Sequence, residues 1–193
     1  MACKDYKGLS ETVAFRKVYD YEGGGWTAGA GGAYITDAYA YHVSLACNHC
    51  AVPACLGVCP QGAISKDVST GIVTIDEDKC IATGTCVAAC PYNVPLIDPD
   101  KNKAVKCNFC AERIAEGKAP ICVEACPLRA LDYGDIDDLR AKYGDNAGIA
   151  PMPAPDQTTP SIVIKPCPAA KAPGDTTGVI MNVKEVTSVP ASA

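Results

Sequence analysis

Cys47-Asn48-His49-Cys50-Ala51-Val52-Pro53-Ala54-Cys55-Leu56-Gly57-Val58-Cys59-Pro60 sets four cysteines at Cys-x2-Cys-x4-Cys-x3-Cys spacing and closes them on a proline. The ending recurs. Cys80-x5-Cys86-x3-Cys90-Pro91 and Cys107-x2-Cys110-x11-Cys122-x3-Cys126-Pro127 repeat it, so the chain carries an internal repeat with Cys-Pro as its marker. A cubane of iron and sulfide needs about four thiolates converging on one small body. The x2 spacing sets two sulfurs on one tight turn, and the proline after the last cysteine has no amide hydrogen to compete for acceptors.

Rival uses of so many cysteines fit less well. Structural zinc takes four ligands in two pairs and has no need of the Cys-x3-Cys-Pro ending. A disulfide framework belongs to shorter secreted chains and would require many strained loops among cysteines this close. His49 stands between two ligands, but histidine ligation of the Rieske kind uses a pair, so a hydrogen-bonding or packing role is the simpler reading. Cys167, between two prolines, reads as a free thiol.

The 193 residues include 13 Cys, 2 Phe and 1 Trp, so cohesion must come in part from whatever the cysteines hold. A net charge of -5 gives no basic footprint for nucleic acid. The N-terminus has no apolar signal segment, and no stretch is long and apolar enough to span a bilayer.

Between the motifs, Gly71-Ile72-Val73-Thr74-Ile75 predicts a strand, and Asp76 to Lys79 the turn that delivers Cys80. Cys59 to Ile64 and its echo Cys126 to Leu131 each predict a turn entering a short strand. Asp135 to Tyr143 predicts a helix, with Ile136, Leu139 and Tyr143 on one face and Gly144 as its stop. The fold class is α+β, dominated by loops that wrap cofactors. Residues 11–46, rich in Tyr and Gly, read as a surface insertion. Residues 150–193 are Pro-rich with one strand-like run, Ser161-Ile162-Val163-Ile164, and have too few apolar residues for a core of their own. Lys106, Arg113 and Arg129 lie beside ligands and read either as solvated positions or as charges that raise local potentials.

The chain resembles the iron-sulfur subunit of the dimethyl sulfoxide reductase family. The likeness is carried by Ala2-Cys3-Lys4-Asp5-Tyr6-Lys7, Cys47-Asn48-His49-Cys50, Cys90-Pro91-Tyr92, the run from Pro120 to Leu131 and Gly174-Asp175-Thr176-Thr177-Gly178. The resemblance implies tandem bacterial-type ferredoxin folds with insertions and an extended C-terminal tail. It divides the chain into a first-motif remnant with its insertion (1–46), a central cluster-binding domain (47–106), the fourth motif with its helix (107–149) and the C-terminal extension (150–193). Four motifs pair first with fourth and second with third. One 4Fe-4S cluster would then use Cys3, Cys107, Cys110 and Cys122, and another Cys47, Cys50, Cys55 and Cys90. Cys59, Cys80 and Cys86 would hold a third cluster, with Thr83 where the family has cysteine; a hydroxyl is a poor iron ligand beside thiolates, which favours a 3Fe-4S centre over a 4Fe-4S cluster with a solvent ligand or a degenerate site. Cys126 would belong to a fourth cluster whose other cysteines would lie upstream of Met1, so the chain reads as truncated and lacking that cluster. The implied role is a non-catalytic electron carrier, tied to the membrane through its partners: a quinol-oxidising integral anchor and a molybdopterin catalytic subunit. Formate, polysulfide, nitrate and selenate enzymes are alternative catalytic partners.

Overall fold

The computed structural model describes residues 1–186. Helix α1 (Ala2–Tyr6) carries Cys3. Strands β1 (Lys17–Gly23), β2 (Trp26–Ala28), β3 (Tyr34–Thr36) and β4 (Tyr39–Leu45) follow. In β4 the alternation of strand side chains turns Tyr41, Val43 and Leu45 inward, and β1 adds Tyr21 from the facing strand, with Tyr21 opposite Tyr41 in the register. These four pack with Tyr92, Ile149, Ala150 and Met152 into one core. Residues 11–46 are therefore not simply a surface insertion: only the β2–β3 hairpin stands out, with Trp26, Tyr34 and Ile35 exposed, while the strands at its base build a core.

The repeated motifs form the second layer. Helical turns α2 (Ala54–Gly57) and α3 (Thr85–Ala89) pack together. Two antiparallel hairpins flank them, β5 (Ile64–Lys66) with β6 (Val73–Ile75) and β7 (Leu96–Asp98) with β8 (Lys103–Val105). Each turns on an aspartate: Asp67 Oδ1 accepts from the amides of Ser69 and Thr70, and Asp98 Oδ1 from those of Asp100 and Lys101. Ala63, Ile64, Val73 and Ala104 close a small core against Cys55, Cys80 and Cys86. Lys79 and Cys80 follow the turn at Asp76, whose carbonyl accepts the Cys80 amide at 3.2 Å.

Beyond these lie α4 (Ala111–Ala115), α5 (Ile121–Glu124) and α6 (Ile136–Tyr143). Asp135 caps α6 by accepting the Asp137 amide, and Gly144 ends it at φ 91°. Helix α1 packs on α5, just as α2 packs on α3. The expected strand after Cys126 does not form. Residues 130–134 are irregular, and Leu128 is 85% exposed, because no neighbouring strand lies alongside to complete a hairpin.

Residues 150–186 drape over the domain. Ser161 to Ile164 forms no strand, contrary to expectation; its end amides donate to the Asn48 and Asn146 carbonyls, Ile162 and Ile164 pack on the first core, and the Thr158 and Thr159 carbonyls accept the Val52 and Ala51 amides. Strand β9 (Gly178–Ile180) joins β1, giving the order β4-β1-β9. Gly178 is obligatory there, since a Cβ would lie 2.6 Å from the Tyr21 ring and 2.7 Å from the Glu22 carbonyl. Helix α7 (Val183–Val186) ends the described chain. The polar tail beyond 186 lies outside the described residues. No helix among them is long and apolar enough to cross a membrane.

Candidate metal centres

Three local devices aim the thiols, and each recurs at matching positions. The first comes two residues after the leading cysteine of each motif, where His49 (φ 43°), Ala82 (φ 56°) and Phe109 (φ 59°) all adopt left-handed backbone. That conformation costs a non-glycine residue about 1–2 kcal/mol. It turns the amide back on the sulfur: Ala82 N–H donates to Cys80 Sγ at 3.4 Å and Phe109 N–H to Cys107 Sγ at 3.3 Å.

The second device is the Cys-Pro turn. Three residues after Cys59, Cys90 and Cys126 stand Gly62, Asn93 and Arg129, left-handed at φ 58°, 52° and 52°. Their amides donate to the cysteine carbonyls at 3.2, 3.1 and 3.3 Å. The next amide then reaches sulfur, Ala63 to Cys59 Sγ at 3.3 Å and Ala130 to Cys126 Sγ at 3.4 Å.

The third device is the short helical turn. Helices α2, α3 and α5 carry Cys55, Cys86 and Cys122 and deliver Cys59, Cys90 and Cys126 just past their ends.

The structure brings the thiols together in three groups. Cys47, Cys50, Cys55 and Cys90 line one cavity with Asn48, Tyr92, Lys106 and Thr158, an empty space of about 370 Å³ counting its open mouth. Cys59, Cys80 and Cys86 line a second, of about 310 Å³, together with Thr83. Thr83 is exposed, and its hydroxyl lies 3.2 Å from that of Thr85. Cys3 lies close enough to Cys110 and Cys122 for their charges to oppose its ionisation, through the contact of α1 with α5. That contact is braced by Arg113, which pairs with Glu124, donates to the Ala119 carbonyl and stacks on the Tyr6 ring.

Burial and neighbouring thiolates set the acidity of these groups. Desolvation pushes Cys55 up to about 11, with Cys47, Cys90 and Cys50 adding to it and Lys106 opposing. Cys107 is likewise pushed up to about 11, first by burial, against the Phe109 amide, and the charge of Cys47 contributes. The rings of His49 and Phe109, 5.4 Å apart between centroids, bring the turns of Cys47 and Cys107 together. Cys126 differs: the Ala130 amide pulls its pKa below the usual thiol value. Cys126 is half-buried, and Cys167 is exposed.

The donors fit an iron-sulfur body. Four thiols from two motifs line the first cavity and three line the second, as a core held by several thiolates requires. Asn48 Nδ2 and His49 Nε2 are buried with no protein acceptor, and Asn48 lines the first cavity. Sulfide and thiolate sulfurs accept such hydrogens. Burial, and then Lys106 and Lys66, lower His49 to about 3, so its ring is neutral. Its Nδ1 accepts the Val73 amide at 2.9 Å, which leaves the proton on Nε2. His49 is thus a brace between motif and hairpin, in edge contact with Phe109.

A model of the 4Fe-4S dicluster domain matches residues 38–136. The B subunit of the anaerobic dimethyl sulfoxide reductase of Escherichia coli is 50% identical over 186 residues, covering 96% of this chain and 90% of that protein. The chain belongs to the dimethyl sulfoxide reductase iron-sulfur subunit family. The corresponding B subunit from Haemophilus influenzae is 48% identical over the same share. The formate dehydrogenase iron-sulfur subunit of the same organism is 36% identical over 118 residues, covering 55% of this chain and 38% of that one.

Within this iron-sulfur subunit the structure decides between the two readings of the basic residues beside the ligands and adds one that the sequence reading did not name. Lys106 is not solvated but 6% exposed, its ammonium bound to the carbonyls of Val73 and, at 3.1 Å, Cys107. Lys66 spends all three hydrogens on the carbonyls of His49, Cys50 and Gly71, clamping the first motif to its hairpin. Arg129 is exposed and donates to the Glu124 and Cys126 carbonyls. Lys106, Arg113 and Arg129 carried a signal in the sequence, their places beside ligands, and Lys66 carried none.

Proposed function

We propose that the chain carries electrons one at a time from a quinol-oxidising membrane anchor to a molybdopterin catalytic subunit of the dimethyl sulfoxide reductase type. The observation behind this reading is the convergence of Cys47, Cys50, Cys55 and Cys90 on one cavity, from two motifs that are apart in sequence. These four would hold one 4Fe-4S cluster, and Cys3, Cys107, Cys110 and Cys122 a second. Cys59, Cys80 and Cys86 would hold a 3Fe-4S centre, with Thr83 offering only a hydroxyl. Cys126 would serve a fourth cluster only if further thiolates joined it. When bound, such clusters accept and release single electrons at potentials set by charge, hydrogen bonds and burial.

The chain's own residues do the rest. Backbone amides of Ala63, Ala82, Ala104 and Phe109 donate to ligand sulfurs, which favours the thiolate form and pre-aims each group. The nearness of the Cys107 turn to the Cys47 turn supports transfer between adjoining sites. Substrate chemistry is assigned to the catalytic partner and the membrane attachment to the anchor. The dimethyl sulfoxide reductase relatives match along nearly the whole chain and the formate dehydrogenase subunit along about half, which favours the former partner.

Anaerobic purification tests the proposal. The expected product is brown, with iron and acid-labile sulfide in amounts fitting two cubanes and one three-iron centre, reducible by dithionite. A colourless protein loaded with zinc would refute it.

A further inference from the structure

Lys106 is a buried cation that the ligand scheme leaves unused. It follows β8, is 6% exposed, and lines the cavity of Cys47, Cys50, Cys55 and Cys90. Two of its three hydrogens go to the carbonyls of Val73 and Cys107, and no carboxylate pairs with it among the described residues. Lys66, by contrast, is saturated by three carbonyls. A buried ammonium without a counter-ion costs several kcal/mol in desolvation. Such a charge persists only where something negative shares its surroundings, and in this cavity that can only be the thiolates and what they hold.

We propose that Lys106 is an electrostatic positioning residue shared by two adjoining cluster sites, raising the potential of the cluster held by Cys47, Cys50, Cys55 and Cys90 and, more weakly, that of the Cys107 site. The inference rests on the ligand sets proposed above. A core bound by four thiolates is negative overall and gains one more negative charge when reduced, so a nearby cation stabilises the reduced form more than the oxidised one. The low local dielectric keeps that difference large, and the two carbonyls fix the cation in place. Its third hydrogen remains free for a sulfur in the cavity. The cluster of Cys59, Cys80 and Cys86, which lies in the other cavity, should sense it less.

The test is redox titration of the full chain, followed by electron paramagnetic resonance, for wild type, Lys106→Met and Lys106→Arg. Lys106→Met should weaken reduction of the cluster at Cys47, Cys50, Cys55 and Cys90 about tenfold, a fall of about 59 mV for one electron. Lys106→Arg should restore most of it, and the midpoint of the Cys59, Cys80 and Cys86 centre should fall by clearly less. An unmoved midpoint in a Lys106→Met chain with full iron overturns the inference, as does an equal fall at all centres. If the Met variant fails to load, Lys106→Gln, which keeps a donor for the carbonyls but not the charge, must show the same fall; a wild-type midpoint there also overturns it. A wild-type chain that binds no iron would instead refute the ligand sets themselves.

Discussion

Thr83 sits on the rim of the second cavity with a hydroxyl that already has Thr85 as a neighbour, so it offers iron no thiolate. A hydroxyl would have to lose its proton at far greater cost than a thiol does. The air-oxidised protein should therefore show the paramagnetic signal of a 3Fe-4S centre, and Thr83→Cys should abolish it by retaining a fourth iron. A silent oxidised wild type, or a signal undiminished in the variant, would count against this. Cys55 and Cys107 set a second expectation. Their thiols are raised to about 11 in the metal-free chain, first by burial, so each must give up a proton at neutral pH to become a ligand. The bound state holds fewer protons than the free one, so binding strengthens as pH rises towards 11 and weakens as it falls. Iron loss to a chelator should be markedly faster at pH 6 than at pH 8. Equal loss at the two values would be the contrary result.

Strand β9 pairs with β1 along its backbone, and one buried phenol ties the turn before it to the sheet. The Tyr21 hydroxyl donates to the Asp175 carbonyl at 2.9 Å and accepts the Gly178 amide at 3.0 Å, from a side chain 2% exposed. Tyr21→Phe strands both groups, at a cost of about 1–3 kcal/mol. Thermal denaturation should show that loss, with hydrogen exchange faster at residues 178–180 than at 41–45; an unchanged melting temperature would contradict it. The sheet also shows why sequence patterns reached only part of the fold. Helix α6 was legible because its cap, its apolar spacing and its stop all lie within ten residues. The hairpin base was not, because β1 finds its apolar partners in β4 and near residue 150, and a tyrosine-rich, glycine-rich run looks the same whether its face is covered or bare. The cysteine motifs could be read directly, since thiol spacing has few other uses. The left-handed residues His49, Ala82 and Phe109 escaped notice because nothing about their side chains announces a conformation that glycine normally takes.

At the scale of the molecule, the helical turns tie the sites to one another. Helix α3 gives Cys86 to one cavity and Cys90 to the next, and α2 does the same with Cys55 and Cys59, so one turn of backbone serves two centres. Cys90→Ser should thus lose the cluster of Cys47, Cys50 and Cys55 and destabilise its neighbour, seen as an iron content reduced by more than one cluster's worth. Unchanged iron would refute that ligand assignment. The second core, with Cys55, Cys80 and Cys86 among its buried members, should also loosen when iron is stripped, and near-ultraviolet circular dichroism should fall together with the visible absorption. The pairing of β1 with β9 bears on how the chain is made. Lys17–Gly23 waits for a partner at Gly178–Ile180, and the Tyr21 hydroxyl for one 157 residues away. At about 5–20 residues per second, a ribosome takes roughly 8–30 s to supply them. The group Cys47, Cys50, Cys55 and Cys90 is complete far sooner, whereas Cys3 must wait for Cys122. Maturation of the nascent polypeptide should accordingly proceed from the middle outwards under the proposed ligand sets, the inner centre able to assemble while the outer one is still being translated and β9 closing the sheet last.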